Sequence, residues 1–492
     1  MKRYFSIRRQ TCIRLLFCSL LLLFAAHAFC FFNLTYSSPS VMLNAAKGNI
    51  AQASGGAFLQ PFYWRIRGGV ASPLFIGLLC AVYITLSALL TADLLHLSHP
   101  WAVFALCGAM IANSAVTSVL ASQLHTADAL FLSQLLGTAG VFLCMRTRFG
   151  FLPGAALVAA SLGMHSGGLS CAVALCLIAV VIDLLRGEDG KACLLRAGKT
   201  AIALAAGAIL YTCGYFVLLR LRGYEAEALL HLPAGGSLLA VWIAPLRTML
   251  APLTAYTRVS VLLRVLLAAL CAAALFLLLR GQRPLRLAAL LASALLLPLA
   301  VNLPVFAREP AGQFPLSYVY LDIFAAALLG AATERGSHNQ LWKRTAAGAF
   351  SVLFLSATVF SNQVYLKKNL EMQSTLSVMT RVIDRVEQTD GYRPGYTPVA
   401  VIGTLQDSAL SVPHQGFEHL AALDAASKNY AISSYEDAIW YTYEILGYPL
   451  NFVSIYDQER LSSLEEVKAM PAFPSDGCIS YIGDMLVVKL SD

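Results

Sequence analysis

Long apolar runs separated by short polar segments dominate the chain up to about residue 362. A membrane-spanning helix needs about 20 predominantly apolar residues to cross the hydrocarbon core. Runs of suitable length predict spans near 12–32, 73–95, 101–121, 128–145, 197–219, 258–279, 286–306, 316–333 and 345–362. This pattern indicates an α-helical polytopic membrane protein.

Residues 150–186 form a less regular pair of apolar runs. Phe151–Met164 and Leu169–Leu185 flank His165-Ser166-Gly167-Gly168, which is typical of a tight turn. Each run is short, so the pair fits either two tilted spans or one re-entrant hairpin. Counted as two, they bring the prediction to about eleven transmembrane helices.

The pattern changes after residue 362 to that of a small α/β domain. Helical spacing covers Val364–Gln388, and the apolar segment Thr397–Thr404 predicts a buried strand. A second helix is expected over Ser434–Leu446, and Cys478–Leu490 predicts a closing hairpin that turns at Gly483-Asp484. We therefore predict a transmembrane domain over residues 1–362 and an α/β domain over residues 363–492.

Composition and charge sharpen this division. The chain is 58% hydrophobic and only 13% charged, which excludes an ordinary soluble protein. Residues 363–492 carry 17 acidic and nine basic side chains, whereas the preceding part has a net charge of +16. A basic membrane part and an acidic, water-exposed tail are therefore expected, with the lipid bilayer as a partner and no nucleic acid.

The basic residues also predict the orientation. Alternate polar segments are rich in arginine and lysine, and these residues are Arg146, Arg148, Arg186, Lys191, Arg196, Lys199, Arg280, Arg283, Arg286, Arg335, Lys343 and Arg344. Ala26-His27-Ala28 resembles a signal-peptidase site, but the apolar run continues past it, so we predict an uncleaved first span. The N-terminus is then inside, and an odd number of spans places the C-terminal domain outside.

The polar segment Gly55–Val70 is the strongest candidate binding region. Tyr63 and Trp64 offer aromatic faces that can stack on a sugar, and Gln60 can donate and accept hydrogen bonds. Arg65 and Arg67 carry guanidinium groups suited to phosphate. The alternative is that these are ordinary charges beside the membrane.

Further candidates lie at the predicted outer ends of the spans. His125 and Asp128 would share a helix face, where Asp128 could act as a general base or hold a divalent cation. The alternative is a helix start at which Thr126 caps and Asp128 favours the helix dipole. His165 and Arg308 are further candidates for substrate binding; the alternatives are a polar turn residue at His165 and a solvated ion pair at Arg308-Glu309. No phosphate-binding glycine loop, zinc spacing or nucleophile elbow is present in the sequence.

Several segments in order resemble the type II O-antigen glucosyltransferase family. The similar segments are FLQPFYWRIRGGVASPLFIGLL, HTADALFLSQLLG, GFLPGAALVAASLGM, NQVYLKKNLEMQSTLSVMTRVIDRVEQ, TPVAVIGTL and MPAFPSDGCISYIGDMLVVKLSD. The resemblance covers nearly the whole chain, and Gln60, Pro61, Arg65, Arg67 and Asp128 match positions of the family pattern.

The resemblance implies a polytopic transferase of the GT-C type in the bacterial cytoplasmic (plasma) membrane. Such an enzyme moves glucose from a polyprenyl-phosphate carrier to a cell-surface polysaccharide on the outer face. It needs no nucleotide sugar and no soluble cofactor at that step. The implied partners are the polyprenyl-phosphate-linked sugar donor and the glycan acceptor.

The sequence departs from the family pattern in its acidic residues. Enzymes of this type usually hold a catalytic carboxylate in the first outer loop, but Met1–Ala92 contains no aspartate or glutamate. Three readings stay open: an active transferase whose base is Asp128 or Glu309, a member that only binds carrier or glycan, and a flippase for lipid-linked sugars. Transporters usually show repeated halves, and no such repeat is seen here.

Overall fold

A computed structural model describes residues 8–33, 35, 56–68, 71–223, 238–250, 257–279, 284–303, 315–334, 340–420, 423 and 426–492. The helices of the membrane part are α1 (Arg9–Phe32), α2 (Gln60–Arg67), α3 (Pro73–Leu94), α4 (Pro100–Ile111), α5 (Ser114–Ser122), α6 (Leu124–Arg146), α7 (Phe151–Met164), α8 (Gly167–Leu185), α9 (Gly190–Arg222), α10 (Leu238–Leu250), α11 (Thr257–Leu279), α12 (Pro284–Val301), α13 (Val319–Glu334) and α14 (Gln340–Glu387). A 3₁₀ turn over Leu316–Tyr318 leads into α13.

Within these described ranges, nine helical segments are long and apolar enough to cross a membrane. The predicted polytopic helical class is therefore confirmed. The described part of the structure has fewer spans than the eleven predicted, because the apolar stretches of α7 and α12 are shorter than a full span. The fourteen residues of α7 reach about 21 Å, less than a hydrocarbon core of about 30 Å. The irregular pair at 150–186 forms two helices separated at His165 and Ser166.

Close helix crossings hold α6, α7, α8 and α9 together. A Cβ placed on Gly137 would come within 2.9 Å of the Gly168 carbonyl, and one on Gly140 within 3.0 Å of the Gly154 carbonyl. A Cβ on Gly207 of α9 would lie 2.7 Å from the Ala155 carbonyl. Small residues at such crossings let helix backbones approach closely in a membrane. These contacts fix the part of the bundle on which α2 rests.

Arginine side chains close the basic end of the bundle. Arg146 donates to the carbonyls of Asp93 and Leu94 at 2.6 and 3.2 Å, and so caps the C-terminus of α3. Arg186 pairs with Glu334 at 2.7 Å. Burial, together with the positive charges of Arg146 and Arg186, lowers the pKa of His96 to about 4. The ends of α3, α6, α8 and α13 are thereby tied together by charged groups.

The C-terminal part continues directly from α14. The remaining elements are β1 (Pro398–Ile402), a 3₁₀ turn (Glu418–Leu420), α15 (Tyr435–Trp440) with a π-helical turn (Tyr441–Leu446), β2 (Asn451–Phe452), α16 (Ile455–Ser463), α17 (Glu465–Ala469), β3 (Ile479–Ile482) and β4 (Met485–Lys489). The sheet order is β2-β1-β4-β3, in which β1 lies parallel to both neighbours and β3 pairs antiparallel with β4. The predicted strand, second helix and closing hairpin are confirmed.

The span near 345–362 and the helix over Val364–Gln388 were predicted as separate elements, but α14 runs through both without a break. The physical reason is visible in the sequence, because α14 contains no proline and its one glycine, Gly348, lies near its start. The predicted boundary at residue 362 therefore falls inside a helix, and the division into domains stays a prediction.

The C-terminal part rests on the second half of α14. The Tyr441 hydroxyl donates to the Met372 carbonyl at 3.2 Å, and the Ala431 amide donates to the Thr375 hydroxyl at 2.8 Å. Next to them, Lys367 and the fully buried Glu371 form an ion pair at 2.7 Å. Because these groups lie inside the interface, the sheet and its helices are fixed to α14.

Replacing Gly108 with alanine should lower the unfolding temperature. The new Cβ would lie 2.1 Å from a ring carbon of Phe354, which is itself buried, so the ring must move. Overpacking of this kind costs about 1–3 kcal/mol. Thermal unfolding of the purified protein in detergent measures the effect.

Gly348→Ala is the matched control. It also lies in a membrane helix, and nothing lies within 4 Å of the added Cβ, so we expect an unchanged or slightly higher unfolding temperature. Equal unfolding temperatures for the two variants would contradict the packing described for α4 and α14.

Candidate functional site

The short helix α2 presents two different faces. Trp64 is fully buried, whereas Phe62, Arg65 and Ile66 are exposed. The helix ends at Gly68, whose φ of +106° is a left-handed conformation that suits glycine. The chain from 56 to 68 therefore lies on the bundle with one face inward.

The last two residues of α7 anchor the start of α2. The Leu59 amide donates to the Gly163 carbonyl at 2.8 Å, and Gln60 Nε2 donates to the Met164 carbonyl at 2.7 Å. From α9, the Tyr211 hydroxyl donates to the Gly56 carbonyl at 3.0 Å. Gln60, predicted to bind substrate, thus uses its amide to hold α2 in place.

The end of α2 carries a buried ion pair. Arg67 Nη1 lies 2.7 Å from Asp128 Oδ1, and neither side chain has any solvent exposure. The same nitrogen donates to the His125 carbonyl at 3.1 Å, and the Tyr63 hydroxyl donates to Asp128 Oδ2 at 2.8 Å. We call Tyr63, Arg67, Asp128 and the His125 carbonyl the Arg67 site. It joins α2 to the first turns of α6.

Two donor nitrogens of Arg67 remain unused within the described part of the chain. Nε and Nη2 are buried, and neither has a hydrogen-bond partner there. An unsatisfied buried donor costs about 1–3 kcal/mol, and more when it is charged. These two nitrogens are donors that a further acceptor, such as an oxyanion, would complement.

Tyr63 is held in its protonated form. Burial and the negative charge of Asp128 raise the pKa of its phenol far above the usual range, so the hydroxyl acts as a donor. Its oxygen also lies 3.2 Å from the hydroxyl of Tyr83 on α3. Tyr83 was not among the predicted site residues, because a tyrosine within an apolar span is commonly part of the core.

The two arginines of α2 differ in their surroundings. Arg67 is buried against Asp128, and Arg65 points to the surface. The fully buried indole of Trp64 has no face open for stacking on a sugar, and its Nε1 has no partner among the described residues. A sugar near this helix could instead reach Tyr63, which is only partly buried.

The other predicted residues contribute less to this cluster. His125 offers its backbone carbonyl, while Tyr63 and Arg67 orient the Asp128 carboxylate. Thr126 lies inside α6, one turn after Gln123, and therefore does not cap the helix. His165 accepts a hydrogen bond from the Gly167 amide and stabilises the turn before α8. Arg308 and Glu309 lie outside the described residues.

A metal ion would meet competition from arginine at Asp128 and at Asp183. At Asp128 it would have to displace Arg67. Near the basic end, ligand atoms of Asp183, Glu188 and Cys193 lie within 4.8 Å of one another. Arg196 lies 3.6 Å from Asp183 and 2.5 Å from Glu188, and so already pairs with both carboxylates.

The fold and this site define a polytopic helical membrane protein with a buried arginine–aspartate–tyrosine cluster under a short surface helix. Residues 41–326 match the sequence model of the family described as Glucosyl transferase GtrII, which is more than half of the chain. The chain belongs to this family, and the predicted resemblance is confirmed. Comparison with curated proteins and comparison with solved structures each give no match.

The family supports a glucosyltransferase role in general, and with it a sugar donor and a glycan acceptor. The many long apolar helices place the protein in a membrane.

Arg67→Ala should destabilise the protein far more than Arg65→Ala. Removing Arg67 leaves the Asp128 carboxylate buried without its charge partner, which costs about 3–5 kcal/mol. Arg65 is exposed, so its loss should change stability by less than about 0.5 kcal/mol. Denaturant or thermal unfolding of both variants checks this difference.

The variant Arg67→Ala/Asp128→Ala serves as the control for the ion pair. It should be more stable than the sum of the two single changes predicts, because neither charge is then buried alone. Additive effects would show that the two side chains do not interact.

Proposed function

We propose that this protein is a glycosyltransferase that moves a glucosyl (hexosyl) group from a polyprenyl-phosphate carrier to a cell-surface glycan. The reaction takes place at the outer face of the bacterial cytoplasmic membrane, with the N-terminus inside and the C-terminal part outside. Membership of the glucosyl transferase family supports the reaction class. The unused donors of Arg67 support the anionic carrier.

The carrier phosphate is suited to Arg67. Its oxygens can accept from Nε and Nη2, the two buried nitrogens that have no partner among the described residues. In the transition state, negative charge grows on the phosphate oxygen that leaves the sugar. A fixed guanidinium beside that oxygen stabilises this charge more than it stabilises the ground state.

Asp128 is the proposed general base. Its Oδ1 is bound to Arg67, and a phosphate bound to Arg67 would share that positive charge. The acceptor hydroxyl then loses its proton to Asp128 while its oxygen bonds to C1 of the glucosyl group. The bond between C1 and the phosphate oxygen breaks, and its electron pair leaves with the polyprenyl phosphate.

One observation favours a second candidate function, binding of the carrier or glycan without transfer. The Asp128 carboxylate has no solvent exposure, and Arg67 and Tyr63 bind its two oxygens. A carboxylate held in this way can be purely structural. A family member without a working base would still bind a lipid phosphate through Arg67.

Asp128→Asn should cut glucosyl transfer by about two orders of magnitude or more, because an amide cannot accept the proton. The measurement is transfer of label from polyprenyl-phosphate-glucose to cell-envelope glycan in membranes with and without the protein. Asp183→Asn is the matched control, since Asp183 is also a buried carboxylate near an arginine but lies at the basic end. Transfer at the normal rate by Asp128→Asn would rule out this base.

Arg67→Lys should weaken binding of the carrier while keeping a positive charge beside Asp128. A lysine has one donor group in place of the planar fork, so we expect about tenfold lower affinity for polyprenyl phosphate. Binding of labelled carrier to the purified protein measures this directly. An unchanged affinity would show that the phosphate binds elsewhere.

A further inference from the structure

The third span is broken inside the membrane domain. Helix α4 ends at Ile111 and α5 begins at Ser114, although the two together form one apolar stretch. His27 Nε2 donates to the Ile111 carbonyl at 2.9 Å, and the Ala115 amide donates to Asn113 Oδ1 at 2.8 Å. Non-helical backbone at membrane depth is tolerated where it is buried in protein or lines a polar cavity.

The break fixes the orientation of an intramembrane carboxylate. Because Asn113 Oδ1 accepts from Ala115, its Nδ2 faces Asp322 and donates to Asp322 Oδ2 at 2.8 Å. The other oxygen, Oδ1, lies 3.7 Å from Arg264 Nη1. No residue that the structure describes donates a hydrogen bond to this oxygen.

The hydrogen bonding of Arg264 is also incomplete among the described residues. Arg264 projects from α11 toward Asp322, and its guanidinium makes no hydrogen bond within the described ranges. The side chain of Arg264 is 19% exposed and that of Asp322 9%. Its neighbours Leu262 and Val265 are exposed, so this part of α11 lies at the periphery of the bundle. Charges within a membrane span are expensive and are usually well paired or functional.

We propose that Asp322 and Arg264 form a second ligand site, which binds a hydroxyl group of a hexose presented at membrane level. The gap of 3.7 Å is too long for a direct hydrogen bond. A hydroxyl oxygen that lies beside the pair, within hydrogen-bond distance of both atoms, accepts from Arg264 Nη1 and donates to Asp322 Oδ1. That the hydroxyl belongs to a hexose rests on the proposed function.

The charges of the pair favour a neutral ligand. A cation at Asp322 would be repelled by the guanidinium of Arg264, whereas an uncharged hydroxyl is repelled by neither group. A sugar hydroxyl is both donor and acceptor, so it complements both groups. Asn113 strengthens the selection because it holds Oδ2 and leaves only Oδ1 for the ligand.

The test is binding of radiolabelled decyl β-D-glucopyranoside to the purified protein in lipid nanodiscs. Unlabelled decanol, which has the same chain and no sugar, corrects for unspecific partition into the lipid. Asp322→Asn and Arg264→Gln should each weaken sugar binding about tenfold, because each removes one charged hydrogen bond. Asp183→Asn should bind like the wild type, since its carboxylate lies 3.6 Å from Arg196 at the opposite end.

Weaker binding by Asp322→Asn and Arg264→Gln, together with unchanged binding by Asp183→Asn, supports the site. Equal binding by all variants, or no sugar-specific binding by the wild type, overturns it. If Asp322→Asn does not fold, Arg264→Gln decides, because Asp322 keeps its hydrogen bond from Asn113 there. The binding measurement does not depend on catalysis. A protein that binds the glucoside through Asp322 but transfers no glucose would therefore overturn the proposed function and leave the site at Asp322 supported.

Discussion

The ion pair between Arg67 and Asp128 is the interaction on which the candidate site depends. Both side chains are withdrawn from solvent, so each charge is tolerable only because the other is present. The pair also connects α2, which lies on the bundle, to α6, which runs through it. The position of every other group of α2 follows from this connection and from the anchors at Gly163 and Met164.

The same rule explains the polar groups elsewhere in the membrane part. At the basic end, arginines bind carbonyls and carboxylates of several helices, and the cluster serves as a clasp between them. At the Arg67 site and at Asp322, donors or acceptors remain unused among the described residues. Among those residues the basic end also keeps unused donors, Arg146 Nε and Arg186 Nε, so unused donors alone do not mark a ligand site.

The sequence predicted the class of fold well, because the length and hydrophobicity of a span leave few alternatives. It also placed Arg67 and Asp128 among the candidates, and the structure brings these two together across 61 residues of sequence. It could not distinguish Arg65 from Arg67, since both lie in the same short helix and only packing decides which one is buried. The burial of Trp64 was hidden from the sequence for the same reason.

Other features were hidden because they depend on partners far apart in the chain. Asp322 lies inside an apolar run, a signal for function, but its meaning depends on Asn113 and Arg264. The break after Ile111 was invisible to hydropathy, because Ala112 and Asn113 interrupt the helix without interrupting the apolar stretch. Local sequence patterns therefore predict helices and strands, whereas the chemistry of the sites depends on contacts between residues that are distant in sequence.

The unbroken helix α14 has a mechanical consequence. Its 48 residues extend about 72 Å, more than twice the thickness of the hydrocarbon core. The C-terminal sheet and helices are fixed to its second half and therefore cannot swing on a loose tether. Any movement of that part must tilt or rotate α14 as a whole. The first half of α14 packs against Gly108 and Phe104 in the bundle. Tilting of the C-terminal part would therefore change helix packing within the bundle.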